Sequence, residues 1–122
     1  MKKILLVEDD FYVRGLYKIA FEKKGYEVIA VEDGDSALER FKQGSFDFII
    51  LDLMLPGTPG MDVLKTIKNS NDTPVYILTN VGDDEILQKV KFIGANGYFL
   101  KVNYTPSQLV AAIEKNQQEA TN

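Results

Sequence analysis

Along the chain, short runs rich in β-branched and apolar residues alternate with longer stretches whose apolar residues recur at helical spacing. The short runs are Ile4–Val7, Glu27–Val31, Phe46–Leu51, Val75–Leu78 and Gly97–Leu100. The run around Ile49, Ile50 and Leu51 has no polar alternation, as expected of a strand covered on both faces. Between the runs, Val13, Leu16, Tyr17, Ala20 and Phe21 fall at i, i+3, i+4, i+7 and i+8, an apolar helical stripe closed by Gly25. Ala37, Leu38 and Phe41 mark a second helix, for which either Asp33 or a Ser36–Glu39 capping box could supply the start. Val63, Leu64 and Ile67 mark a third, and Ile86, Leu87, Val90 and Ile93 a fourth. A fifth opens at Thr105, with Pro106 at the first helical position and Gln108 at the third. Five β-α repeats with short joints predict a parallel sheet with helices on both faces. No linker or repeat divides residues 1–122, which read as one domain; the polar segment from about residue 116 is expected to fray.

Composition narrows the chemistry. The 122 residues suffice for a proper core. No apolar run approaches the roughly 20 residues of a membrane span, and Met1-Lys2-Lys3 leads straight into a strand pattern rather than a signal peptide. There is no Cys, which removes disulfides and thiolate metal sites, and no His, which removes the commonest transition-metal ligand. A formal net charge of -4 argues against gripping a nucleic-acid backbone. A cytoplasmic acidic domain is expected, with no membrane or direct nucleic-acid partner.

In an open parallel sheet, ligands bind beyond the carboxyl ends of the strands, where strand order reverses. The predicted strands deliver polar residues there: Glu8-Asp9-Asp10 after the first, Asp52 after the third, Thr79-Asn80 after the fourth and Lys101 after the fifth. Each alone has an ordinary reading. Asp9 or Asp10 could cap the first helix, Asp52 could cap a turn, Thr79 could be a plain strand residue and Lys101 a solvated charge. Their convergence on one edge favours a site. Carboxylates without nitrogen or sulfur donors suit Mg²⁺, and a lysine and a hydroxyl can meet phosphate oxygens. The implied chemistry is phosphoryl transfer onto Asp52, with Mg²⁺ and Lys101 neutralising developing charge.

These residues, in VEDD, ILDLMLPG, ILTN and GANGYFLK, resemble from end to end the receiver domains of two-component response regulators, including the chemotaxis-regulator type. The resemblance implies a flavodoxin-like α/β fold, doubly wound, with strand order 2-1-3-4-5. It makes Asp52 the phosphoacceptor, with Asp10 and Asp52 as direct Mg²⁺ ligands, Asp9 acting through water and Met54 offering its backbone carbonyl. Lys101 would pair with the phosphoryl group, Thr79 would be the switch hydroxyl, and Tyr98 the aromatic that follows it inward. The donor would be a phosphohistidine on a sensor kinase or phosphotransfer protein. Output would pass to a downstream protein or an effector domain, with a phosphorylation-dependent dimer as one form. Such a domain catalyses its own phosphorylation and slow dephosphorylation and is not a turnover enzyme.

Several positions depart from the family pattern. Val102 replaces the proline that usually follows the lysine, so the Lys101–Val102 peptide is expected to be trans. Asn80 and Pro59 are also unusual at their places. Met54 and Val81 flank the approach of a hydrolytic water and cannot orient one. Phe92 falls off the buried stripe of Ile86, Val90 and Ile93, which marks it, beside Tyr98, as a partner contact. Asn96-Gly97 and Leu109–Ile113 lack the charged residues of the winged-helix transcription-factor subgroup, which points away from it. An FMN binder would be repelled by Glu8-Asp9-Asp10, and a haloacid dehalogenase-type hydrolase would need an acid at Met54. A receiver fold that binds partners without phosphorylation is the remaining alternative.

Overall fold

The computed structural model describes residues 1–121. Five strands, β1 (Lys3–Val7), β2 (Glu27–Val31), β3 (Phe48–Leu51), β4 (Val75–Thr79) and β5 (Gly97–Leu100), form one parallel sheet in the order β2-β1-β3-β4-β5. Helices α1 (Phe11–Lys23), α2 (Gly34–Gln43), α3 (Gly60–Ser70), α4 (Asp84–Ile93) and α5 (Pro106–Thr121) connect or follow them. The doubly wound α/β fold and its strand order agree with the expectation from sequence.

Period-two alternation splits the apolar runs between two cores. Ile4, Leu6, Phe48 and Ile50 face one layer, with Tyr17 and Phe21 of α1 and Leu109, Val110 and Ile113 of α5. Leu5, Val7, Ile49 and Leu51 face the other, with residues from α2, α3 and α4. Phe48 anchors the first layer; its ring meets those of Phe21, Tyr26 and Tyr76 edge-on at centroid distances of 6.2, 5.7 and 5.5 Å.

Local chemistry resolves the open starts. Asp33 accepts a hydrogen bond from the Ser36 amide at 2.7 Å, so it caps α2. Thr105 and Gln108 exchange bonds at 2.9 and 3.2 Å, a reciprocal capping box at the start of α5. Gly25 and Gly94 take φ of 93° and 117° just past α1 and α4, a region that side chains with a Cβ avoid.

Four expectations change. Residues 46 and 47 lie outside β3; Phe46 is instead half-buried, with the Lys3 ammonium 5.3 Å from its ring centroid. Leu16 is exposed, because Tyr17 and Phe21, with Val13 and Ala20 half-buried beside them, already cover the side of α1 that faces the sheet. In α4 only Val90 is fully buried, with Leu87 and Ile93 half-buried against the core and Ile86 outside that contact. The segment from 116 to 121 is helical rather than frayed. Tyr26 donates to Glu114 at 2.9 Å, so α5 is held along its side as well as at its start. Residue 122 lies outside the described residues. No helix among the described residues is long and apolar enough to cross a membrane.

Candidate phosphoacceptor site

Strand register brings the polar residues together. Val7 pairs with Leu51, so Glu8 and Asp52 leave adjacent strands side by side at the carboxyl edge. The Asp52 amide donates to Val7 O at 3.1 Å, the last rung before the strands part. Here β1 lies between β2 and β3, and the strand order reverses about it, the switch point at which an open parallel sheet forms its crevice. Glu8 shares the parity of Ile4 and Leu6, and Asp52 that of Phe48 and Ile50, so both carboxylates turn inward and are 1% and 4% exposed.

Lys101 answers their charge. Thr79 pairs with Leu100, and Lys101 follows immediately, in a short 3-10 turn spanning Lys101–Asn103. Its Nζ donates to Asp52 Oδ2 at 2.6 Å and meets Glu8 Oε1 at 2.5 Å. Burial alone would push the Lys101 pKa down, but the hydrogen bonds and charges of Asp52 and Glu8 outweigh it, and it stands above its usual value. Burial pushes the Glu8 carboxyl up, aided by the Asp52 charge and opposed by Lys101 and the Asp10 amide. No peptide bond among the described residues is cis, so the Lys101–Val102 bond is trans as expected, and Val102 itself is 78% exposed. The lysine reaches the site without the family's proline.

The oxygen cluster differs from the one expected. Carboxylate oxygens of Glu8, Asp9 and Asp52 lie within 4.8 Å of one another, a group that does not include Asp10. Asp10 is the N-cap of α1: its Oδ1 accepts from the Val13 amide at 3.0 Å, while its own amide donates to Glu8 Oε2 at 3.1 Å. This geometry places Asp9, not Asp10, beside Asp52, and brings in Glu8, to which the resemblance assigned no role. Parity could have found it, since Glu8 stands at i+2 and i+4 from the buried Leu6 and Ile4.

The loop after Asp52 is pinned in place. The Met54 amide donates to Asp52 Oδ1 at 3.1 Å. The Gly34 amide donates to Pro56 O at 3.2 Å, and Thr58 Oγ1 donates to Asp35 Oδ1 at 2.5 Å, tying the loop to the start of α2. A Cβ at Gly34 would lie 1.9 Å from Thr58 O, so this joint admits only glycine. Thr79 is buried at the end of β4, and its Oγ1 accepts from the Val81 amide at 3.4 Å. Tyr98 is half-buried and its hydroxyl has no hydrogen-bond partner among the described residues. Burial raises its pKa, and the Asp83 charge adds to that. Met54 and Asn80 are exposed and Val81 is half-buried around the crevice mouth. Phe92 lies away from the carboxylates, 93% exposed on α4.

A family model described as the response regulator receiver domain matches residues 4–114. The transcriptional regulatory protein ResD of Bacillus subtilis is 31% identical over 92% of this chain and 46% of its own length. The transcriptional regulatory protein CpxR of Escherichia coli is 37% identical over 93% of this chain and 48% of its own. The chain therefore spans about half the length of the curated relatives it matches. These relatives are named as transcriptional regulators. Among solved structures, the chemotaxis response regulator CheY4 of Vibrio cholerae aligns with a TM-score of 0.87 at 29% identity, covering 95% of this chain and 98% of that one. The BeF3-activated N-terminal receiver domain of Klebsiella pneumoniae RstA aligns with a TM-score of 0.86 at 31% identity, covering 93% and 97%. With the edge occupied by Asp52, Lys101, Thr79 and an acidic pair, and with this match over most of its length, the chain belongs to the receiver domains of two-component response regulators.

Proposed function

We propose that this receiver domain accepts a phosphoryl group from a phosphohistidine onto Asp52 and thereby changes the surface it offers to partners. The observation that carries the reading is the Asp52 carboxylate, 4% exposed, bonded to Lys101 at 2.6 Å within an acidic cluster at the sheet's carboxyl edge. In the transfer, an Asp52 oxygen forms the new bond to phosphorus as the bond from phosphorus to the histidine nitrogen breaks. Lys101, released from Asp52 Oδ2, can pair with a phosphoryl oxygen and offset its charge. Thr79, the nearest strand-end hydroxyl to Lys101 in register, then turns toward the phosphoryl group, and Tyr98 moves into the space vacated.

The donor set fits Mg²⁺: hard oxygens only, crowded within 4.8 Å, with Glu8 Oε1 buried and contacted by no donor except the Lys101 ammonium. Asp9, Asp52 and the Met54 carbonyl would hold the ion, with Glu8 beside it and Asp10 left to its helix cap. When bound, Mg²⁺ supplies positive charge against the phosphoryl oxygens. The phosphoryl group stays on the protein, so the domain acts once per transfer rather than turning over a substrate.

The chain has no His of its own, so its donor is a histidine of another molecule or segment, on a sensor kinase or a phosphotransfer protein. The cytoplasm is the proposed location, and neither nucleic acid nor membrane is a proposed partner of this domain, whose formal charge is -4. For output, Phe92 is the proposed contact, standing 93% exposed beside a groove between α3 and α4 with Met61, Lys65 and Lys91. Phe92→Ala is expected to weaken phosphorylation-dependent partner binding or self-association about tenfold, the loss of one aromatic anchor. Unchanged association by both measures in the phosphorylated protein would remove Phe92 from the output face.

A phosphoryl analogue tests the core of the reading against a module that works without phosphorylation. Adding beryllofluoride with Mg²⁺ to the ¹⁵N-labelled protein should shift the amides of Asp52, Thr79, Lys101 and Tyr98. Spectra indifferent to both additions together would sink the proposal.

A further inference from the structure

We infer that Arg14 is a positioning residue for the acidic cluster, holding the backbone of Glu8 and Asp9 so that their carboxylates face Asp52. The inference rests on the Mg²⁺ reading of that cluster. It starts from two carbonyls with no partner in regular structure. The last rung on the β2 side is Glu8 N–H to Val31 O, and the first helical bond of α1 is Arg14 N–H to Asp10 O at 2.9 Å. The carbonyls of Glu8 and Asp9 fall between them. Arg14 Nη1 donates to both, at 3.0 and 3.3 Å. These bonds fix the two successive peptide planes that aim the Asp9 side chain.

The guanidinium is itself held. Its side chain is 17% exposed, its Cζ lies 5.7 Å from the Phe11 ring centroid, and Nη2 lies 3.8 Å from Glu32 Oε2, just beyond β2. A planar fork clamped on three sides suits a positioning task better than a flexible ammonium would. Glu32 is mostly exposed, so that pair orients the fork more than it stabilises the fold.

The charge of Arg14 works in the opposite sense from its geometry, which makes the inference testable. A fixed cation close to a cation site repels the ion, so removing charge alone would tighten Mg²⁺ binding. Removing a brace would loosen it, by about tenfold if it resembles other outer partners of metal ligands. The experiment titrates Mg²⁺ alone into the ¹⁵N-labelled full chain and follows the amides of Asp9 and Met54. Wild type is compared with Arg14→Lys, which keeps the charge, and Arg14→Gln, which removes it, with melting temperatures recorded for each. Weaker Mg²⁺ binding in both variants is expected, with phosphorylation by acetyl phosphate falling more at limiting than at saturating Mg²⁺. Binding unchanged in Arg14→Lys, or tighter in Arg14→Gln, would overturn the inference; should the glutamine variant fail to fold, the lysine variant decides. A wild type that shows no Mg²⁺ saturation at millimolar concentrations would instead overturn the metal reading itself.

Discussion

Asp52→Asn is expected to abolish Mg²⁺-dependent phosphorylation while leaving the fold intact. The amide has almost the volume of the carboxylate and keeps an oxygen that can accept from the Met54 amide, a bond of 3.1 Å in the native protein. It lacks the negative charge that makes Asp52 a nucleophile. Intact-mass measurement after incubation with acetyl phosphate and Mg²⁺ checks this, and a variant that still gains one phosphate at the native rate would contradict it. The same variant carries a stability prediction. One ammonium, Lys101, faces the crowded carboxylates of Glu8, Asp9 and Asp52. Removing one carboxylate relieves repulsion and leaves Lys101 paired with Glu8, so no buried charge is orphaned. Without Mg²⁺ the melting temperature should therefore rise, by a few degrees for about 1 kcal/mol in a domain of this size. A fall would mean that the Asp52–Lys101 pair outweighs the repulsion.

Once formed, phospho-Asp52 is expected to hydrolyse slowly, over minutes or longer rather than seconds. Hydrolysis needs a water in line with phosphorus, opposite the Asp52 oxygen, and a group to hold it there. The side chains around the mouth do not provide one. Met54 is 67% exposed, and its thioether donates no hydrogen bond. Val81 is half-buried, and its polar amide is already engaged with Thr79 Oγ1. Asn80 is exposed and adds bulk. Placing an amide and an acid there, as Met54→Asn with Val81→Glu, should shorten the lifetime between about tenfold and a hundredfold, the range of a positioned polar group acting on water. The loss of label from purified phosphoprotein, without any phosphatase, measures it. A wild type that already loses its label within seconds would refute this account of the pocket. If Asn80→Ala lengthens the lifetime as much as the double substitution shortens it, the Asn80 amide rather than the apolar pair governs the water.

Much of the fold is legible because its signals are local. A continuous apolar run such as Phe48–Leu51 can satisfy both faces only inside a covered sheet. Thr105, Pro106 and Gln108 specify a helix start through bonds made within one turn. The acceptor, the lysine and the switch hydroxyl are equally legible, since each ends an identifiable strand. Less legible is which part of a wide apolar arc finds a neighbour. Leu16 and Ile86 belong to helical stripes, yet Leu16 is exposed and Ile86 packs outside the core, because burial depends on the width of the facing surface. The end of α5 misleads in the opposite way: a polar composition suggests fraying, whereas the helix runs on to Thr121 and Tyr26, distant in sequence, bonds its Glu114.

The site divides along the same line. Sequence alone determined that acids, a hydroxyl and a lysine collect at one edge of a parallel sheet, because strand direction and side-chain periodicity are local steric properties. Which acids share the crevice was decided only by tertiary structure. Glu8, Asp9 and Asp10 are adjacent in the chain, and either of the last two could have capped α1. The turn from strand to helix gives that cap to Asp10, and pairing of Val7 with Leu51 sets Glu8 beside Asp52. Likewise, the reach of Lys101 to both carboxylates depends on the β4–β5 register and a turn after Leu100, with no proline needed to shape it. Contacts between residues 49 positions apart follow from how strands align, and no local pattern encodes that alignment.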